Sequence, residues 1–381
     1  MTGPAAPRVP LIERHYLALA VAVLALAAFN VTFRLGREVV TEWDESLYAL
    51  SAWEMVKSGY WVATTYGGAL DYYNTKPPLN VWLIAFWFKT FGVSLVALRI
   101  TSALSAWLTV LLLQGWLRRS FGAMVAIVGS LVLATCFGFL YAHAGRSGNP
   151  DALFALLVLL TVMTASATQE HPWRQVWLGP LLAAVFLLKG MAVLMPLSIV
   201  AAIDVWQVAR KQRHRSWVPL LSALCLFALP VATWMWARWQ VDQWRFIRLL
   251  FEYDFVLGTF TSLEGHSGTP LFYLNVLQRD QLAWLVVAGV ALIACPIGWR
   301  QLRDRLPFWG SGSGRGMLLG TWALATFLIP TLMRTKLPWY LNCFYPAFAA
   351  GVDWLVSRAL SSPGHGGSTR WRRAAVGAAV A

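Results

Sequence analysis

The sequence has 381 residues, 58% of them hydrophobic and 13% charged, with a mean hydropathy of +0.57 and a formal net charge of +14. A soluble domain of this length is excluded, because such a chain has too little polar surface to face water. The positive charge does not point to nucleic acid, since most of the excess sits in short loops between apolar runs and reports topology.

Several apolar runs reach the roughly 20 residues that a bilayer crossing takes, and helices satisfy their own backbone in lipid. The expected fold class is all-α: a polytopic transmembrane helical bundle of about ten or eleven spans. Arg8 and Arg14 precede a long apolar run with no cleavage site, so Tyr16 to Phe33 reads as a retained first span with a cytoplasmic N-terminus.

The segment 34–93 then reads as an external loop. Its polar part, Thr41 to Asn80, carries aromatic rings, the pair Asp44-Glu45 near its start and the triplet Lys76-Pro77-Pro78 near its end. Thr41, three residues before Asp44, can cap a helix, and Asp44 to Lys57 lacks Pro and Gly and suits an amphipathic helix along the membrane surface. Gly59, Gly67-Gly68 and Pro77-Pro78 break the chain after it. The plainer alternative is an ordinary solvated loop. Residues 79–92 are apolar but short. If they crossed, Arg118-Arg119 would fall outside, so they are expected to lie in the interface.

The second span is expected over Ser94 to Leu117. Ala123 to Tyr141 goes out to the loop His143 to Asp151, and Ala152 to Ala167 returns. Trp177 to Leu188 and Met191 to Val208 form a pair hinged at Lys189-Gly190, ending at the basic loop Arg210 to Arg215. Trp217 to Arg238 leads to a second long external loop over 239–280. Ala283 to Trp299, Met317 to Met333 and Trp339 to Val356 alternate after it, and Ala374 to Ala381 reads as the start of a further span. The four cysteines, Cys136, Cys225, Cys295 and Cys343, lie in apolar spans without ligand spacing and read as packing thiols.

On this topology five charged segments meet at the external face: Asp44-Glu45, Lys76, Arg146 with Asp151, Glu264-Gly265-His266, and Lys336. Charges at membrane depth are costly and are functional candidates. Arg146 with Asp151 is equally a structural ion pair. Lys89, Arg99 and Arg248 read as snorkelling side chains. Lys189, inside a span pair, reads as functional or as half of a buried pair. Carboxylates beside lysines at a lipid interface suit a reaction in which one group takes a proton from an acceptor and another holds a departing phosphate. A sugar carried on a polyprenyl phosphate is such a donor.

In order along the chain, Asp44-Glu45 with Tyr48, Trp53-Glu54-Met55, and Lys76-Pro77-Pro78-Leu79 resemble the first periplasmic loop of the bacterial lipid A aminoarabinose transferases and of the wider protein-O-mannosyltransferase-like group of GT-C glycosyltransferases. Arg146 to Asp151 resembles the family's second-loop segment, and Leu188-Lys189-Gly190 its "TKG" turn. Gly265 to Tyr273 resembles its "GHxGPxxYY" loop. Thr335 to Tyr340 with Tyr345-Pro346-Ala347 resembles its "SKLPxYLLPLYPA" segment. The resemblance implies one GT-C transmembrane domain over 1–381 with interfacial helices in the first loop, and no soluble C-terminal domain is expected.

It also implies roles. Asp44 is the catalytic carboxylate with Glu45 beside it. Lys76 binds the lipid phosphate, assisted by Tyr345. Asp151 and His266 line the cavity with Arg146, Lys189, Lys336 and Tyr340. Where aminoarabinose transferases place an acidic residue before that lysine to bind a divalent metal with the loop histidine, this chain has Thr75, so no metal ligand is assigned, no cofactor is certain, and a divalent metal stays open as an expectation. The function expected is an inverting membrane glycosyltransferase of the inner (plasma) membrane. It would use a polyprenyl-phosphate-linked sugar and a lipid, protein or glycan acceptor on the external face, without nucleic acid. A lipid or solute transporter or flippase is the alternative, since Lys189-Gly190 interrupts a span. A non-catalytic envelope scaffold is the third reading.

Overall fold

Alternating apolar runs and glycine or proline breaks give the chain its helices. The computed structural model describes residues 11–40, 43–141, 143–168, 171–210, 217–294 and 315–361. The Thr41 cap, Arg8, the loop residues 211–216, Cys295, Arg300 to Arg305 and the final apolar run lie outside these. Twelve helices carry the architecture among the described residues: α1 (Tyr16–Thr32), α2 (Trp43–Ser58), α3 (Leu79–Phe91), α4 (Leu95–Phe121), α5 (Ala123–Ala134), α6 (Asp151–Ala167), α7 (Leu178–Lys189), α8 (Leu194–Ala209), α9 (Trp217–Asp242), α10 (Phe272–Ala294), α11 (Arg315–Leu332) and α12 (Tyr345–Ser361). A two-residue hairpin, β1 (Thr65–Tyr66) against β2 (Ala69–Leu70), turns at Gly67-Gly68, both at positive φ.

The helical bundle expected from the sequence is the fold found. Among the described residues, four helical runs are long and apolar enough to cross a membrane: Leu95–Phe121, Pro172–Ala209, Trp217–Asp242 and Phe272–Ile293. Helix α9 shows the pattern. Leu221, Leu224 and Leu229 are exposed, as is Trp217 at one end and Trp236 further along. That helical interval between the tryptophans is about 28 Å, close to the ~30 Å hydrocarbon thickness, and tryptophans favour both interfaces.

Two packed cores result. The larger joins α1 and α4–α12. The smaller belongs to the first loop and to the start of α4: Tyr48, Ala52 and Met55 of α2 meet Val81, Ile84, Ala85 and Phe88 of α3 and Ala97 and Leu98 of α4. The expected pair of loop helices is thus present, with a core of its own.

Several boundaries differ from expectation. The span expected over Ala123 to Tyr141 ends at Ala134. Thr135 turns its hydroxyl back onto the Leu131 carbonyl (2.8 Å), Cys136 Sγ accepts from the Phe139 N–H (3.3 Å), and a short turn Phe137–Leu140 follows. The loop expected over 239–280 is mostly helical. Helix α9 runs to Asp242, Arg245–Leu249 and a π-helical Leu250–Leu257 follow, and α10 starts at Phe272. Its first turns looked loop-like because Asn275, Gln278 and Arg279 are exposed, yet Tyr273, Val276 and Leu277 bury one face at helical spacing. The last span starts as a 3-10 turn, Pro338–Cys343, before α12.

The pair hinged at Lys189-Gly190 is present. Gly190 takes φ 53°, a 3-10 turn Gly190–Val193 follows, and α7 packs on α9 while α8 packs on α11. A left-handed backbone here is tolerable because glycine lacks Cβ.

Candidate active site

Helix ends and loop returns deliver their charged residues to one cavity of about 710 Å³. Asp44 sits in the first turn of α2, where backbone N–H groups favour a carboxylate, and Leu47 and Tyr48 one turn on line the same wall. Asp151 opens α6 in the same way. Lys189 closes α7 and reaches across to it, Nζ to Oδ1 2.7 Å, with its ammonium 5.3 Å from the Phe154 ring and 5.9 Å from Tyr340. Lys76 enters from the end of the first loop. Asp71 Oδ1 accepts from the N–H groups of Tyr73 (2.9 Å) and Asn74 (3.0 Å), and Asn74 Oδ1 accepts from the Lys76 N–H, so an Asx-type turn aims the lysine.

Two cations share this floor, and their repulsion has a consequence. Desolvation first, then the Lys189 ammonium, push the Lys76 pKa down to about 8, against the pull of Asp44 and Asp151. A negative charge brought beside Lys76 would oppose that shift.

The roof is the segment Leu257 to Leu271. It is stitched to the turn after α11: the Arg334 N–H donates to the Thr259 carbonyl (2.9 Å), the Lys336 N–H to the His266 carbonyl (3.0 Å), and the Leu263 N–H to Thr335 Oγ1 (3.1 Å). Its tie to the first loop is a side-chain bond, Tyr73 Oη donating to Glu264 Oε1 at 2.6 Å. That bond, desolvation and the Glu264 charge push the Tyr73 hydroxyl up to about 12. The other flank of the cavity is apolar, with Met191, Leu194, Phe260, Ile329, Leu332 and Met333.

Of the residues singled out from sequence, Asp44, Lys76, Asp151, Lys189, His266 and Tyr340 line this cavity. Four do not, and each has a structural engagement instead. Glu45, one residue and about 100° round the helix from Asp44, is buried. It takes both Arg99 Nε (2.7 Å) and Nη2 (2.9 Å) and the Gly148 N–H (2.7 Å). Arg146 does not pair with Asp151. It pairs with Glu38, donates to the Asn30 carbonyl (2.8 Å) and lies over the Tyr141 ring. Lys336 turns back and caps α11, its Nζ donating to the carbonyls of Pro330 (3.1 Å) and Thr331. Tyr345 is buried and donates to Asp280 Oδ2 (2.7 Å), against Gly138, where any side chain would collide with both groups. Arg99, read as a snorkelling side chain, is the buried partner of Glu45.

Tyr48 and Trp339, which the motifs include without a role, and Tyr73, Tyr253 and Arg334, which no motif singles out, also line the cavity. Tyr48 was detectable as Asp44's neighbour at i+4, and Arg334 and Trp339 flank the Thr335-Lys336-Leu337-Pro338 turn. Nothing local marked Tyr73 or Tyr253, whose partner is far off in sequence or in an unusual π-helical turn.

The resemblance implies a divalent metal bound through an acidic residue at position 75 and the loop histidine. Thr75 offers only a hydroxyl there, Glu264 is bonded to Tyr73, and among the described residues no group of three or more His, Cys, Asp or Glu is placed to hold an ion. The donors present do not fit a divalent metal, and no step below runs through one.

A helical membrane bundle with an external-type loop pair roofing a mixed polar and apolar cavity is the GT-C architecture. The sequence profile described as dolichyl-phosphate-mannose-protein mannosyltransferase matches residues 75–236. The chain is 29% identical over 345 residues to undecaprenyl phosphate-alpha-4-amino-4-deoxy-L-arabinose arabinosyl transferase 2 of Pseudomonas fluorescens, covering 88% of this chain and 56% of the relative. It is 29% identical to the corresponding transferase of Pseudomonas aeruginosa, covering 85% and 57%. Among solved structures, ArnT from Cupriavidus metallidurans bound to undecaprenyl phosphate superposes with a TM-score of 0.70 at 21% identity, over 90% of this chain and 60% of that one. The Archaeoglobus fulgidus oligosaccharyltransferase gives 0.54 at 13% identity over 97% and 56%. The comparisons thus agree with the resemblance read from the loop segments: the chain is similar to the lipid A aminoarabinose transferase and protein-O-mannosyltransferase-like group of GT-C proteins. It spans a little over half the length of the curated relatives it matches.

Proposed function

We propose that this cavity transfers a sugar from a polyprenyl-phosphate donor to an acceptor at the external face of the inner membrane, with the N-terminus cytoplasmic. The observation that carries the reading is the meeting of Asp44, Lys76 and the Asp151–Lys189 pair in one cavity with an apolar flank. The relatives' undecaprenyl-phosphate-linked aminopentose defines the donor class to try first. The acceptor is open among lipid, protein and glycan groups.

The chemistry follows from the placement. The acceptor oxygen attacks the anomeric carbon from the side opposite the phosphate. Its O–H bond breaks toward Asp44, which takes the proton. The bond from the anomeric carbon to the phosphate oxygen breaks, its electron pair leaves with the polyprenyl phosphate, and configuration inverts. Lys76 meets the charge that develops on the phosphate, a role in which a desolvated ammonium is most effective. Tyr48, Trp339 and Tyr340 supply ring faces for the sugar, and the flank of Met191, Leu194, Ile329 and Leu332 suits the first isoprene units.

The test is mass spectrometry of extracted lipids and envelope polymers from cells with and without the chain, joined to purified transfer with the Asp44→Asn form. Transfer is expected in the unaltered protein and a loss of ~100-fold or more in Asp44→Asn, which is the order that general-base removal costs. An Asp44→Asn protein that transfers at the normal rate refutes the assignment. Vesicle accumulation of an unmodified solute, with no covalent product, supports the transporter instead.

A further inference from the structure

Tyr345 lies outside the cavity, yet its hydroxyl belongs to a set of bonds that ends at the cavity wall. The 3-10 turn Pro338–Cys343 supplies Trp339, Tyr340 and Cys343 to that wall. A 3-10 run has poorer hydrogen-bond geometry than an α-helix and leans on its surroundings. Helix α10 holds this turn at both ends. Before it, Tyr273 Oη donates to the Leu337 carbonyl (3.2 Å) and accepts from the Leu337 N–H (3.3 Å). After it, the Tyr345 hydroxyl donates to Asp280 Oδ2 (2.7 Å). Tyr273 and Asp280 stand two helical turns apart on one face of α10, ahead of the kink at Gln281.

Both ties are withdrawn from water. Tyr273 and Tyr345 are each 1% exposed, and the Asp280 side chain is 2% exposed. Removing one partner of such a bond leaves the other buried and unsatisfied. Arg279, itself well exposed, donates Nε to Asp280 Oδ1 (2.7 Å). The carboxylate charge is thus met from the surface, and its second oxygen is left for Tyr345. Gly138 lies against the Tyr345–Asp280 contact, with no room there for a side chain. In this setting the Tyr340 ring lies 5.9 Å from the Lys189 ammonium, which pairs with Asp151.

We propose that Tyr273, Asp280 and Tyr345 are positioning residues of the candidate site: they form a clasp by which α10 fixes both ends of the turn 338–343, and so sets where the Trp339 and Tyr340 rings meet the sugar. The consequence rests on the transfer reading, but the clasp does not. A ring wall displaced by about 1 Å leaves the lipid phosphate bound at Lys76 and takes the anomeric carbon off the line of attack.

The experiment has two arms. The protein has eleven tyrosines, so a sample labelled with 3-fluorotyrosine gives few 19F signals in detergent, and the signal absent from Tyr340→Phe belongs to Tyr340. In Tyr345→Phe and in Tyr273→Phe that signal is expected to move by more than its linewidth, and in Arg279→Met to stay in place. In the transfer assay, turnover is counted per site that binds undecaprenyl phosphate, so that loss of folded protein drops out. Tyr345→Phe and Asp280→Leu are expected to lose ~10-fold or more in kcat with the donor KM within about twofold. Asp280→Asn keeps an acceptor for the Tyr345 hydroxyl and is expected to restore most of that turnover. Arg279→Met is expected to unfold earlier without losing turnover. A Tyr340 signal that neither Tyr345→Phe nor Tyr273→Phe moves overturns the proposal whether or not transfer is detected. So does full turnover in Tyr345→Phe, or turnover that follows thermal stability across the set with Arg279→Met included. A displaced Tyr340 signal in a chain that transfers nothing upholds the clasp and refutes the transfer reading alone.

Discussion

Replacing Arg99 with Met separates the structural and chemical readings of Glu45. In the native fold Arg99 holds Glu45 with two bonds of 2.7 and 2.9 Å, and its Nη1 also donates to the carbonyls of Leu35 (2.9 Å) and Glu38 (2.8 Å). Both side chains are almost wholly withdrawn from solvent, 3% and 2% exposed. Arg99→Met leaves a carboxylate buried with only the Gly148 N–H for company and orphans two carbonyls. Breaking one side of such a pair costs ~3–5 kcal/mol. At ~2 °C per kcal/mol for a chain this large, thermal unfolding in detergent should drop by roughly 6–10 °C. The double variant Glu45→Met with Arg99→Met removes both charges and should recover a good part of that loss, since hydrophobic pairs of similar volume often replace buried ion pairs without penalty. Glu45→Gln should unfold early yet retain transfer in the folded fraction. A Glu45→Gln protein as stable as the native one but inactive would refute this reasoning and return Glu45 to the chemistry.

Lys76 gives a pH prediction whose sign is fixed by its depressed pKa of about 8: the ammonium is present below that pH and lost above it. Affinity for polyprenyl phosphate, measured by titration in detergent, should therefore fall as pH rises through about 8 to 9, and Lys76→Met should bind weakly with no such dependence. Tyr73→Phe removes the 2.6 Å bond to Glu264 and should cost ~1 kcal/mol of roof closure, read as faster proteolysis near Gly265 with little change in global unfolding. Gly190→Ala forces a Cβ into φ 53° with the Leu250 side chain 3.4 Å away, and should destabilise by ~1–2 kcal/mol in thermal unfolding.

Where the sequence was a good guide, a local rule and a long-range one agreed. Asp44 is ahead of a Pro-free and Gly-free amphipathic run, and that run is α2. Residues 79–92 read as too short for a span, and they form the 13-residue helix α3, which packs on α2 in a separate small core. Lys189 was flagged by its cost inside an apolar pair, and it is in a salt bridge. What failed was the choice of partners. Arg146 stands five residues from Asp151 and looked like its counter-ion, but α6 begins at Asp151 and carries the carboxylate toward Lys189, while the arginine turns back to Glu38. Adjacent charges in a sequence point in different directions once a helix starts between them. Glu45 turns away because consecutive residues of one helix point about 100° apart, and Lys336 because a carbonyl terminus competes for its ammonium.

The division between wall and roof has a physical consequence. Asp44, Asp151 and Lys189 are all carried on helix ends, so their positions are set by α2, α6 and α7 and by the buried Glu45–Arg99 pair behind them. The roof from Leu257 to Leu271 has backbone bonds only to the turn after α11 and a side-chain bond to the first loop. Parting it from the first loop, with its bonds to the turn after α11 kept, therefore breaks one exposed hydrogen bond, whereas moving any wall group means pulling a helix from the bundle core. The edge of the roof at the first loop can thus part without disturbing the wall groups.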